Sequence, residues 1–127
     1  VHGAPSNYFK YIITLRDALD EENFMKKNMV LIGHSHRAGI FSITDKKYFP
    51  MPEGGEFILR REKKYIINPG SVGQPRDLNP DASFMIYYPV LGEVVIKRVK
   101  YPKEVTRKKI LESSLPEFLG DRLLVGM

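Results

Sequence analysis

The stretch Met29-Val30-Leu31-Ile32, four unbroken apolar residues that stop at Gly33, constrains the fold more than any other feature of the chain. An apolar run this short, closed by glycine, reads as a strand buried on both faces. It runs directly into His34-Ser35-His36, so the strand delivers two imidazoles at the carboxyl edge of a sheet. That edge is where α/β folds hold their ligands. The one remaining histidine, His2, lies in Val1-His2-Gly3, so all three sit in short glycine-bearing motifs. Imidazole nitrogen suits zinc, manganese, iron or nickel. Histidines at i and i+2 can converge on neighbouring ions if the backbone turns sharply, and Gly33 is placed to make that turn. An exposed loop feature is the alternative for a bare His-x-His pair.

The rest of the chain supports a mixed α/β (α+β) fold. Residues 14–27 read as a helix, with Thr14 and Asp17 spaced as a capping box and Leu15, Ala18 and Leu19 on one face. Beyond His36 the pattern turns to strands at 39–44, 57–61, 64–67, 83–88 and 93–101, separated by turn residues such as Gly54-Gly55 and Gly92. Their closeness in sequence predicts mostly antiparallel pairing. A helix is expected from Pro102 to about Phe118, with Val105, Ile110 and Leu111 as its buried positions. The Pro- and Gly-rich segment 68–80 is an ordered loop with a function, in which Ser71, Arg76 and Asp77 supply polar groups.

Composition narrows the function classes. The chain has 127 residues and no cysteine, which leaves one domain, no disulfide, and metal ligands drawn from histidine, carboxylate, amide or backbone oxygen. No apolar run of about 18 residues marks a membrane helix and no signal peptide is recognisable, so a soluble, cytoplasmic protein is expected. The net charge of +5 permits a basic nucleic-acid-binding module. The bland reading is preferred, because Lys97, Arg98, Lys100 and the Arg107-Lys108-Lys109 cluster alternate on a strand or share a helix face, as solvated residues do.

Three motifs in order, His2-Gly3-Ala4-Pro5, Gly33-His34-Ser35-His36 and Asn68-Pro69-Gly70-Ser71-Val72-Gly73-Gln74-Pro75-Arg76-Asp77, followed by the Ala82-Ser83-Phe84 strand, resemble the C-terminal half of the calcineurin-like metallophosphoesterases, close to the small prokaryotic phosphodiesterase branch. The resemblance runs from Val1 to about Tyr101. It implies that residues 1–127 form the C-terminal portion of one domain, half of a four-layer α-β-β-α sandwich with one or two flanking helices. It also implies two divalent metal ions, with His2 and His34 on one and His36 on the other, while Ser71 and Arg76 border a phosphate-ester substrate. The family's Asp-x-His, Gly-Asp and Gly-Asn-His motifs do not occur in this chain, and Asp45 and Asp77 follow no matching motif.

Metal-assisted hydrolysis of a phosphate monoester or diester is therefore the expected chemistry, with manganese, iron, nickel or zinc as the ion. No catalytic residue other than the ligands is assigned here. The position of His2 at the very start implies a preceding segment, and a half-sandwich implies an apolar face covered by an N-terminal half or by self-association. With three histidines and no bridging carboxylate, the isolated chain is expected to be catalytically poor. The alternatives are an inactive phosphoesterase-fold scaffold for protein interaction and the nucleic-acid-binding module. A β-lactamase-like zinc hydrolase is set aside, since Arg37-Ala38-Gly39 follows the histidine pair where that chemistry places Asp-His.

Overall fold

A computed structural model describes residues 1–127 as two sheets and three α-helices. The first sheet holds β1 (Met29–Leu31), β2 (Gly39–Ser42), β3 (Lys47–Pro50) and β5 (Tyr65–Asn68) in the order β1-β5-β2-β3. The second holds β4 (Gly55–Ile58), β6 (Ala82–Tyr88) and β7 (Glu93–Val99) in the order β4-β7-β6. Pairing is antiparallel except where β1 runs parallel to β5, with Val30 opposite Ile66. No helix is long and apolar enough to cross a membrane.

The alternation of the central strands explains the layering. Ile66 in β5 and Phe41 in β2 point to one side of the first sheet, where they bury with Ala4, Ile12, Ala18 and Ile32. Ile67, Tyr65 and Ile40 point to the other side and meet Val94 of β7. β2 and β5 are consequently buried along their whole length, and the two sheets sandwich a second, smaller apolar cluster.

Helix α1 begins as its sequence predicts and ends sooner. Thr14 is the N-cap, its hydroxyl accepting from the Asp17 N–H while the Asp17 carboxylate accepts from the Thr14 N–H. The helix covers only Leu15–Leu19, and a single 3-10 turn follows at Glu22–Phe24. The reason is Glu21, which is fully buried and accepts from Ser6 N–H at 2.8 Å, Ser6 Oγ at 2.7 Å and Lys10 Nζ at 2.7 Å. That network draws the chain out of helical register to fasten the loop 6–10.

Several expectations are corrected. β1 is a sheet-edge strand with Leu31 exposed, so it is not buried on both faces. β3 falls in a segment expected to be connector; its strand character comes from pairing with β2, including the Phe41–Tyr48 ring stack at 4.3 Å. The single helix expected to about Phe118 divides into α2 (Lys103–Leu111) and α3 (Phe118–Val125). These pack chiefly on each other, and Val105 and Leu111 are exposed while no residue of α2 is buried. Arg98 is not a solvated member of a basic face, as its side chain is only 7% exposed.

Candidate metal centre

The histidine turn is built from three anchors. Val1 donates from its terminal amine to the Leu31 carbonyl at 3.0 Å, and Gly33 N–H donates to the His2 carbonyl at 2.8 Å. Residues 1–3 are thereby laid along the end of β1, and His2 is held there. Gly3 allows the next segment to fold back: a Cβ there would sit 2.5 Å from the Tyr8 carbonyl oxygen. The third anchor is Asn68, buried at the end of β5, whose amide donates to the Gly33 carbonyl at 2.9 Å and to Ser35 Oγ at 2.8 Å.

The sharp turn is made by the histidines themselves and not by Gly33. His34 has φ 61° and His36 φ 57°, both in the left-handed region, whereas Gly33 is not among the positive-φ residues. Left-handed backbone costs a residue with a Cβ about 1–2 kcal/mol, and such strain clusters where side chains must be aimed. His2 Nε2 and His34 Nδ1 lie 2.8 Å apart. The Tyr11 ring packs against His34 with centroids 3.9 Å apart, and Tyr8 stacks on His2 at 5.7 Å.

His36 points elsewhere. Its Nδ1 lies 2.9 Å from the Gln74 carbonyl oxygen, which can only accept, so Nδ1 carries the hydrogen and Nε2 keeps its lone pair. Burial holds this imidazole below the usual histidine range; the Gln74 contact opposes that, while the Arg76, Arg122 and His34 side chains add to it. A neutral ring with one nitrogen fixed by a carbonyl is the form in which histidine coordinates metal.

Asn68, expected in the loop, ends β5 by pairing with Gly39, and the segment 69–81 closes over this end of the sheets without regular structure, as its composition implies. Gly70 (φ 86°) is pressed against β6, where a Cβ would come within 2.6 Å of the Ser83 side chain. Arg76 N–H donates to the His36 carbonyl at 3.0 Å. The Asp77 carboxylate accepts from Ala38 N–H at 2.9 Å and pairs with Arg98 of β7, so the loop is clamped to both sheets just beyond His36.

His2, His34, His36 and Ser71 line one open cavity of about 430 Å³ with Ser83 and Phe84. Arg76 does not; it lines a separate cavity with Arg37 and Asp77. Asp45 does not line the histidine cavity and is paired with Lys63 and Ser42. The fit to metal is partial. Nitrogens of two ligands on one tetrahedral ion, each bonded at about 2.0–2.1 Å, lie roughly 3.3 Å apart, so the two rings, at hydrogen-bond distance of 2.8 Å, would part by about half an ångström to share one. No three His, Asp or Glu side chains converge closely enough to enclose an ion, however. Asn68, Asp77 and Tyr11 are the positioning residues that sequence reasoning did not assign; Asn68 and Asp77 bound the loop motif, and only their place at its two ends hinted at a structural role.

Comparison with known proteins agrees with the fold. No protein-family model matches the chain. The uncharacterized protein MJ0912 of Methanocaldococcus jannaschii is 37% identical over 106 residues, which is 84% of this chain and 42% of that protein. A crystal structure of a metallophosphoesterase from Sphaerobacter thermophilus superposes with a TM-score of 0.93 at 32% identity, covering 100% of this chain and 54% of that one. The hypothetical protein PH1004 from Pyrococcus horikoshii OT3 shares the fold, with a TM-score of 0.72 at 19% identity over 45% of its length. The fold is that of the calcineurin-like metallophosphoesterases. This chain spans about half the length of the relatives it matches.

Proposed function

We propose that this chain supplies the histidine share of a dinuclear divalent-metal centre that hydrolyses phosphate esters. The observation that carries the reading is the 2.8 Å approach of His2 Nε2 to His34 Nδ1, with left-handed backbone at His34 and His36. In this reading His2 and His34 hold one ion, and His36, through Nε2, holds the other. Two divalent cations held there would supply Lewis-acid activation of a water and neutralise phosphoryl charge.

The chain's own residues orient and fasten. Asn68 fixes the turn that carries His34, and Gln74 fixes the tautomer of His36. Ser71 borders the substrate from the cavity wall. Asn and carboxylate ligands come from elsewhere, since no carboxylate joins the histidines in this chain. The half of the relatives' length that this chain does not span is the natural source, and it also covers exposed Tyr8, Phe9 and Phe84. Manganese, iron, nickel and zinc all suit the donor set.

The test is hydrolysis of a chromogenic phosphodiester and a chromogenic phosphomonoester by the complete protein with manganese. His34→Ala should lower kcat/KM for the preferred ester by at least 100-fold. Activity unchanged by that substitution would overturn the reading. The second reading, a non-catalytic scaffold, is favoured by the absence of a three-ligand cluster. It predicts no metal-dependent turnover and partner binding indifferent to His34→Ala.

A further inference from the structure

Separate from the histidine cavity is a second cavity of about 530 Å³, bounded by Arg37, Tyr48, Pro50, Arg76 and Asp77. Its two arginines are both tied to His36. Arg37 follows it in the chain, and Arg76 donates its backbone N–H to the His36 carbonyl at 3.0 Å. Neither arginine takes part in any of the chain's seven ion pairs. Arg76 Nε is buried and has no hydrogen-bond partner.

No acidic side chain of the wall pairs with either arginine. Asp77, its one acidic side chain, is engaged through Oδ2 by Arg98 and the Ala38 N–H, while its Oδ1 is buried with no partner. The Met127 carbonyl at the rim accepts from Arg122 at 2.6 Å. Burial pushes the Tyr48 phenol above its ordinary range, which keeps it protonated as a further donor. A buried guanidinium nitrogen without an acceptor is costly, and two uncompensated guanidiniums on one wall raise the local potential for an oxyanion. Arginine's planar fork matches phosphate in bidentate geometry.

We propose that this cavity is an anion subsite that takes a phosphate group on the non-scissile part of the substrate. The substrate is then a phosphate ester bearing a second phosphate. Naming that substrate rests on the hydrolase reading above; the anion subsite itself does not, because it needs no metal.

The test is titration of inorganic phosphate into the complete protein, purified and stripped of metal, followed by amide resonances and by calorimetry, with acetate as a control anion. Phosphate should shift residues 36–38 and 76–78, and acetate should bind at least 10-fold more weakly. Arg37→Met and Arg76→Met should each weaken phosphate binding at least 10-fold, and Arg37→Lys should recover part of the loss. Arg37 is exposed, so its variants fold and carry the test even if Arg76→Met does not. His34→Ala should leave phosphate binding intact. The proposal is overturned if phosphate does not bind, if both arginine substitutions leave binding unchanged, or if His34→Ala abolishes it. A failure of the hydrolase reading would register separately, as loss of metal-dependent turnover with phosphate binding retained.

Discussion

Asp77 and Arg98 form an ion pair with side chains only 8% and 7% exposed, joining the loop beside the histidines to a central strand of the second sheet. The same carboxylate holds the amide of Ala38, two residues beyond His36, so one buried pair ties both sheets to the histidine turn. Removing one partner strands the other charge in a buried setting. Asp77→Ala or Arg98→Ala should therefore each destabilise the chain by about 3–5 kcal/mol, read from urea unfolding. The two losses should be far from additive in the double variant. Independent, additive losses would show that the two side chains do not act as a unit.

The strained backbone at His34 yields a prediction that separates geometry from chemistry. His34→Ala and His34→Gly both delete the imidazole and its packing on Tyr11. Only the alanine variant keeps a Cβ at φ 61°. The glycine variant should be the more stable of the two by about 1 kcal/mol in thermal or urea unfolding. Equal stability would mean that the left-handed turn relaxes once the imidazole is gone.

Acid should loosen the loop that packs on the histidines. Burial pushes the Glu21 carboxyl up, but hydrogen bonds from Lys10 and Ser6 outweigh it and hold the group below the usual carboxylate range. The Thr14 and Ile13 amides lower Asp17 in the same sense, against its burial. For a folded-state pKa below the unfolded value, stability is fully present above the unfolded value, about 4. It is lost as pH falls through the lower, folded one. Urea midpoints should thus fall as pH is lowered from about 5 toward 2, and Glu21→Gln should flatten part of that slope. A slope identical in the wild type and in Glu21→Gln would sink this assignment.

How much was legible in the sequence differs by element, for physical reasons. Thr14 and Asp17 announced a capping box through local chemistry alone, and it forms. The histidines' place after β1 followed from the apolar run, and the irregular segment 69–81 from its prolines and glycines. By contrast, β3 exists because β2 offers a partner, a long-range fact that Lys47–Pro50 does not encode locally. Arg98 reads as solvated because its neighbours on β7 alternate with it, yet Asp77, 21 residues away, draws it inward. The turn at His34 and His36 gave no glycine to signal its left-handed backbone. α3 was legible in principle, since Leu119, Leu123 and Leu124 precede Gly126, which closes the helix at φ 69°.

The central claim is that His2 and His34 share one ion while His36 serves another. Zinc titrated into the purified chain, with the histidine ring resonances observed by NMR, tests it most directly. His2 and His34 should shift together with a single stoichiometry, and His2→Ala or His34→Ala should each remove the same binding event, while His36→Ala spares it. Zinc binding of wild-type affinity in His2→Ala, or separate responses of the His2 and His34 rings, would contradict the account.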